Sequence, residues 1–151
     1  MNKQKLEAQW ITGFTDGEGC FCIEVNYRID GNYQVIPSFT VTQHYIDIQS
    51  LHKLKNYFGF GVVRKNNGER YCYRVRKRDD LVNTIIPFFE KHPLKTSKRI
   101  DFVKFRYIVN LMQTGQHLTP KGLEKIQKIR STMNREKYRA INAYLRSKTL
   151  T

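Results

Sequence analysis

Acidic residues are scarce in this chain: 13 Asp and Glu stand against 27 Lys and Arg over 151 residues, a formal charge of +14. That imbalance makes polyanions, nucleic acid above all, the default partners. Long hydrophobic runs are missing as well. The longest, Ile85-Ile86-Pro87-Phe88-Phe89, is far too short to span a bilayer. The opening residues MNKQKLEAQW hold no apolar stretch of signal-peptide length, so an intracellular protein with no membrane partner is expected. Cysteine is limited to Cys20, Cys22 and Cys72, an odd count that gives no disulfide framework and fits a reducing compartment. No segment is low in complexity and no repeat of 20–50 residues is visible. What is present is 40% hydrophobic and 13% aromatic residues, enough for one domain with a real core rather than a disordered basic tail.

Periodicity sets the elements. Leu6, Trp10, Ile11 and Phe14 fall at helical spacing, predicting a helix over 6–15 that meets Gly17-Glu18-Gly19 just past its end. The period then changes to two. Phe21, Ile23, Val25 and Tyr27 alternate with Cys20, Cys22, Glu24, Asn26 and Arg28, the pattern of a half-buried strand. Asp30-Gly31-Asn32 reads as a turn, and a second strand follows to Thr42, with Pro37 arguing for an edge position. A helix over 46–58 and a second hairpin around Asn66-Asn67-Gly68 repeat the order. Helices are predicted over 81–90, where Pro87 should kink the chain, over 98–112, from the Thr119-Pro120 start to about Met133, and over 136–145. The expected class is α+β, with helices on one face of a mostly antiparallel sheet.

The polar faces of the hairpins carry unusual charge. Arg70, Cys72, Arg74 and Arg76 share one face, and seven basic residues against one acid, Glu69, lie between Arg64 and Arg78. A solvated strand face normally mixes signs. A two-stranded ribbon fits the major groove of duplex DNA, so the face bearing Glu24, Asn26, Arg28, Gln34, Ser38, Thr40, Arg64, Asn66, Arg70, Arg74 and Arg76 is the expected base-reading surface. The basic tail, including Lys125 and Lys128, is expected to touch phosphates only.

One motif carries chemistry. In Gly13-Phe14-Thr15-Asp16-Gly17-Glu18-Gly19-Cys20-Phe21 a helix ends at two acids spaced by glycines that permit close backbone approach. Gly13 and Gly17 would let another helix pack closely. A Glu18 carboxylate aimed at a phosphate backbone repels it unless a hard metal ion intervenes. A capped turn with solvated acids is the bland alternative on the residues alone. Cys20, Cys22 and His44 lack a complete zinc ligand set.

This run resembles the signature of the LAGLIDADG homing endonucleases, G-F-x-D-G-E-G-x-F, at every fixed place. The helix–hairpin order over about 5–112 resembles that family's αββαββα core, with a saddle-shaped antiparallel sheet. A basic helical extension over about 117–148 is similar to tails on organellar members, so one domain over 1–151 is implied. The resemblance implies a site-specific, intron-encoded double-strand DNA endonuclease. It would cut a long pseudo-palindromic duplex by Mg²⁺-dependent hydrolysis, leaving short 3′ overhangs, in a chloroplast or mitochondrion. Mn²⁺ or Ca²⁺ are alternative occupants of the metal site. Glu18 with the Gly17 carbonyl would hold the metal, Gln43 would sit near the attacking water, and Lys98, or failing it Lys95, would offset phosphate charge. Asp16 looks more structural than catalytic, and Asp47 stands where some members carry an Arg. One copy of the motif implies a homodimer through the first helix, with Trp10, Gly13 and Asp16 at the interface. Two rival readings remain at this point: an intron maturase that binds its own intron RNA, and a DNA-binding regulator that does not cut.

Overall fold

The computed structural model describes residues 5–149, without the side chains of 135–141 and Thr149. In chain order, α1 (Ala8–Glu18) leads into the hairpin β1 (Gly19–Tyr27) and β2 (Tyr33–His44). A 3₁₀ turn precedes α2 (Ile48–Phe58), which leads to the hairpin β3 (Val62–Asn67) and β4 (Arg70–Val75). Helices α3 (78–91), α4 (Lys98–Gln113), α5 (Pro120–Arg130) and α6 (Asn134–Thr149) complete the chain. The sheet is wholly antiparallel in the order β1-β2-β4-β3. This is the α+β class expected from the periodicity, in the αββαββα order that the resemblance implies, with helices added after it.

Helix α1 runs one turn further than the spacing predicts and ends at Glu18. The glycines inside it do not stop it, because Gly19 leaves the helix with an ordinary extended backbone rather than a left-handed one. Its N–H still bonds the Thr15 carbonyl. A Cβ on Gly19 would stand 2.5 Å from Thr15 Cγ2 and 2.8 Å from the Thr15 oxygen. A glycine is what allows helix to become strand with no loop between.

Alternation then divides the sheet. Phe21, Ile23, Val35, Phe39, Val41, Tyr73 and Val75 are buried on one face under Ile11, Leu51, Leu54, Phe89, Phe102 and Phe105. Phe21 is central, its ring 5.2–5.4 Å from those of Phe39, Phe89, Phe102 and Phe105. The even-numbered residues form the opposite face.

Pro37 does not mark an edge strand; β2 is interior. The β2–β4 ladder begins only at Phe39, so Pro37 has β1 as its one neighbour and its missing N–H leaves no ladder bond broken. Pro87 does not break α3 either. The π-helical turn Leu81–Ile85 before it shifts the bonding pattern, which relieves the clash a proline would make with a regular helix.

The first part of the basic extension packs on the core. Thr119 caps α5, its Oγ1 accepting from the Gly122 N–H at 3.0 Å, and Ile126 and Met133 are buried. Arg130 Nε donates to the Ile23 carbonyl at 2.7 Å and Asn134 Nδ2 to the Phe21 carbonyl at 2.7 Å. These bonds cover the outer edge of β1, where an unpaired strand would invite a foreign one. Lys125 and Lys128, expected on phosphates, lie beside α4. The Lys125 ammonium lies 5.2 Å from the Tyr107 ring centroid, and Lys128 lines a cavity with Val103, Lys104 and Tyr107. Both are on the helical side of the sheet. Because Ile126 is fully buried, Ile126→Ala should cost about 2–4 kcal/mol in a single cooperative thermal transition. Two separate transitions would show that the extension folds apart from the core.

Candidate active site and nucleic-acid interface

The C-terminal turn of α1 gathers the chemistry. Asp16 turns its carboxylate into its own chain, where Oδ2 accepts from the Lys95 N–H at 2.8 Å and Oδ1 from the Thr96 N–H and hydroxyl at 3.1 and 2.7 Å. Burial alone would raise its pKa; the Thr96 hydroxyl, the two backbone N–H groups and the Lys98 charge outweigh that and hold it below the usual carboxylate value. Asp16 therefore braces the start of α4, which fits the structural role expected of it. Three bonds of its carboxylate are made within the chain.

Lys98 Nζ donates to the carbonyls of Thr15 and Asp16, both at 3.0 Å. A cation thus meets the negative end of the α1 dipole where orphan carbonyls collect. Glu18, the last helical residue, is exposed beside it. Gln43 belongs to the same end of the sheet: β1 starts with Gly19 opposite Val41, and Gln43 is two residues further along β2. Gly17, Glu18 and the Lys98 ammonium meet at the end of α1, and Gln43 lies toward the same end of the sheet. Lys95 contributes its backbone N–H there.

The even-numbered face of the sheet extends from that corner. In register across it, Cys20 pairs with Thr40, Thr40 with Arg74, and Arg74 with Val62; Thr42, Cys72 and Arg64 form the next row. Arg64, Arg70 and Arg76 are exposed and Arg74 half-buried. Burial, and repulsion from Arg76 and Arg64, depress the Arg74 pKa below its usual value. Such crowding of like charge favours an anion on this face. Asn26, Arg28 and Gln34 are exposed at the far end of the first hairpin, and Thr40 is half-buried in the middle. Glu24 accepts from Arg76 Nη2 with both oxygens at 3.4 Å.

Two expected base-reading residues are placed differently. Ser38 is on this face but buried, only 3% exposed. Asn66 is the extra residue of a bulge between Lys65 and Asn67, so Asn67, not Asn66, stands opposite Arg70. The Cys20 and Cys22 sulfurs are 2.8 Å apart on the same face. That hydrogen bond and burial push the Cys22 thiol far above its ordinary pKa.

The outer side of α1 is open. Trp10 is 43% exposed, Gly13 and Gly17 are exposed, and a Cβ on either glycine would meet nothing within 4 Å. Trp10 stacks on Phe14 with ring centroids 4.7 Å apart.

Sequence reasoning missed two contributors. Thr96 is one: it precedes the N-cap residue Ser97, and its bond to Asp16 is a tertiary contact with no local signal. His44 is the other. Its Nδ1 accepts from the Ile46 N–H at 3.3 Å, so Nε2 carries the proton and donates to Glu69 at 2.9 Å. That pair ties the end of β2 to the tip of the second hairpin.

Known proteins share this arrangement. Residues 11–109 match the LAGLIDADG endonuclease family model. A probable intron-encoded endonuclease 2 of Neurospora crassa is 32% identical over 125 residues, 82% of this chain. The chain spans about a quarter of that relative's length, 26%. Among solved structures, the homing endonuclease I-TnaI superposes with a TM-score of 0.81 at 49% identity, covering 87% of this chain and 90% of its own. I-SmaMI bound to an uncleaved DNA target in the presence of calcium ions gives 0.83 at 33% identity, over 88% of this chain and 46% of its own. A signature helix braced at its acidic end, two hairpins in the same order and these matches agree: the chain belongs to the LAGLIDADG endonuclease family.

Proposed function

We propose that this chain is a site-specific double-strand DNA endonuclease, intron-encoded, that acts as a homodimer on a long duplex target. The observation that carries the reading is an exposed Glu18, beside a lysine-capped helix end, at one corner of an arginine-lined sheet face. I-SmaMI seated on DNA and an intron-encoded relative support it. The same resemblance supports an organellar location.

Glu18 and the Gly17 carbonyl would hold a divalent cation, Mg²⁺ by preference. The donor set fits a hard ion that keeps its waters. Among the described residues no group of three or more His, Cys, Asp or Glu gathers, so one chain offers a carboxylate and carbonyl oxygens rather than a closed cage. When bound, the cation supplies positive charge against the charge developing on the scissile phosphate. Lys98 spends two of its three N–H donors on Thr15 and Asp16 and keeps one for a phosphate oxygen or an ordered water. Gln43 can orient the attacking water with an amide that both donates and accepts. The arginine face would lie in the major groove, with Arg64, Arg70, Arg74 and Asn67 toward base edges.

Two strands need two such corners. The bare stripe of Trp10, Gly13 and Gly17 on α1 supports a second copy packed there, which would bring two Glu18 residues together. The I-SmaMI chain, about twice this unit's length, also supports two units per target.

A second reading, binding of its own intron RNA, draws on the helical side. Lys104, Lys125 and Lys128 gather there around Tyr107, away from the arginine face. Retained RNA binding after Arg74→Ala and its loss after Lys128→Ala would support that surface.

Glu18→Gln should lower the single-turnover cleavage rate at least about a hundredfold while leaving duplex affinity intact, because charge stabilisation is lost but contact area is not. Normal cutting by the variant would remove Glu18 from the site. Gly13→Arg should shift the sedimentation profile from dimer to monomer and abolish double-strand cleavage together. An unchanged profile would move the interface away from α1. Arg74→Ala should cost about 1–3 kcal/mol and relax preference at one base pair per half-site. Lys125→Ala, on the helical side, should leave both affinity and its salt dependence unchanged, measured by binding across a salt series.

A further inference from the structure

Lys98 is not brought to the end of α1 by its own side chain alone. A four-carbon stem has many rotamers, and one geometry holds only where the surrounding groups fix it. The segment before it does that here. The Thr96 hydroxyl donates its one proton to Asp16 Oδ1 at 2.7 Å and accepts from the Lys98 N–H at 3.3 Å. The Lys95 and Thr96 N–H groups bond the same carboxylate. The Lys98 ammonium then returns to α1 on the carbonyls of Thr15 and Asp16. The result is a closed ring between residues about 80 apart in sequence: Asp16 side chain, Thr96, Lys98 and the Asp16 carbonyl.

We propose that Thr96 is a positioning residue: with Asp16 it clamps the start of α4 to α1 and so fixes the Lys98 ammonium beside Gly17 and Glu18. The role rests on the nuclease reading above. The hydroxyl is used in both directions, as donor and acceptor, so its replacement has a distinct signature. Valine keeps the shape and loses both bonds; serine keeps both bonds and loses only a methyl group.

The ring can be read without metal or DNA. Trace labelling of amines with acetic anhydride, quantified by mass spectrometry, reports how free Lys98 Nζ is in the full-length protein. Lys98 should be protected in the wild type, severalfold more reactive in Thr96→Val, and protected again in Thr96→Ser. With saturating target duplex and Mg²⁺, Thr96→Val should slow single-turnover cleavage about tenfold to a hundredfold, as a small misplacement of a charged group does. Duplex affinity measured with Ca²⁺ should not move, and Thr96→Ser should restore the rate. In a Lys98→Met background, Thr96→Val should have no further effect on the rate.

Unchanged labelling in Thr96→Val would overturn the clamp. So would a rate loss that adds in full to that of Lys98→Met, or one matched by a loss of affinity. Should Thr96→Val fail to fold, as judged by circular dichroism, Thr96→Ala carries the same comparison. If the wild type does not cut DNA at all, the nuclease reading fails, and the labelling contrast still decides the clamp by itself.

Discussion

The last turn of α1 is held to the rest of the fold through the Lys98 ammonium on the carbonyls of Thr15 and Asp16. A helix that runs directly into a strand leaves its terminal carbonyls without the left-handed glycine cap that usually serves them. Gly19 is extended and supplies one N–H only. A lysine from α4 adds donors at Thr15 and Asp16, not at the Gly17 carbonyl. Removing that cation would leave orphan carbonyls at the point where β1 begins, and β1 sets the register of the sheet through Gly19 and Val41.

From that junction, alternation does the remaining work. Phe21 enters the core two residues after Gly19, and four other rings close around it within 5.4 Å. The same step of two sends Cys20, Cys22 and Glu24 to the opposite face. A slip of one residue would exchange core and groove surfaces completely, so the buried aromatics are also what aims the arginines. The bulge in β3 shows the rule acting locally. One extra residue, Asn66, changes parity, and Asn67 faces with Arg70.

Much of this was legible in the residue pattern, for physical reasons that vary by element. Strand faces were readable because burial on one side imposes period two, and Val35, Phe39, Val41, Tyr73 and Val75 obey it. The signature run was readable because glycine and acid spacing there answers to backbone contact as well as chemistry. Helix ends were less so: α1 passes Gly17 because its cap comes from residue 98, far away in sequence. Pro37 misled because a local rule, that proline avoids interior strands, takes no account of where the second neighbour begins. The bulge at Asn66 and the ring through Thr96 leave no trace in composition or period, being set by tertiary contact alone.

Charge follows a similar division. The excess of basic residues is one number in the sequence but two surfaces in space. The arginines sit on β3, β4 and the segment just after, on rigid neighbours that pair across the sheet. Fixed guanidinium groups suit bidentate contacts to base edges, whose geometry must be met from a scaffold. The lysines of α5 sit on the other side, one over Tyr107 and one 3.8 Å from Glu124. Flexible ammonium groups tolerate an irregular partner or none, and i,i+4 pairing with a glutamate contributes only a few tenths of a kcal/mol to the helix. The distinction between arginine strand and lysine helix therefore separates rigidly spaced charge from mobile charge. Glu24 sharpens that contrast. The Glu24 carboxylate accepts from Arg76 Nη2 with both oxygens, which limits the rotamers of that guanidinium.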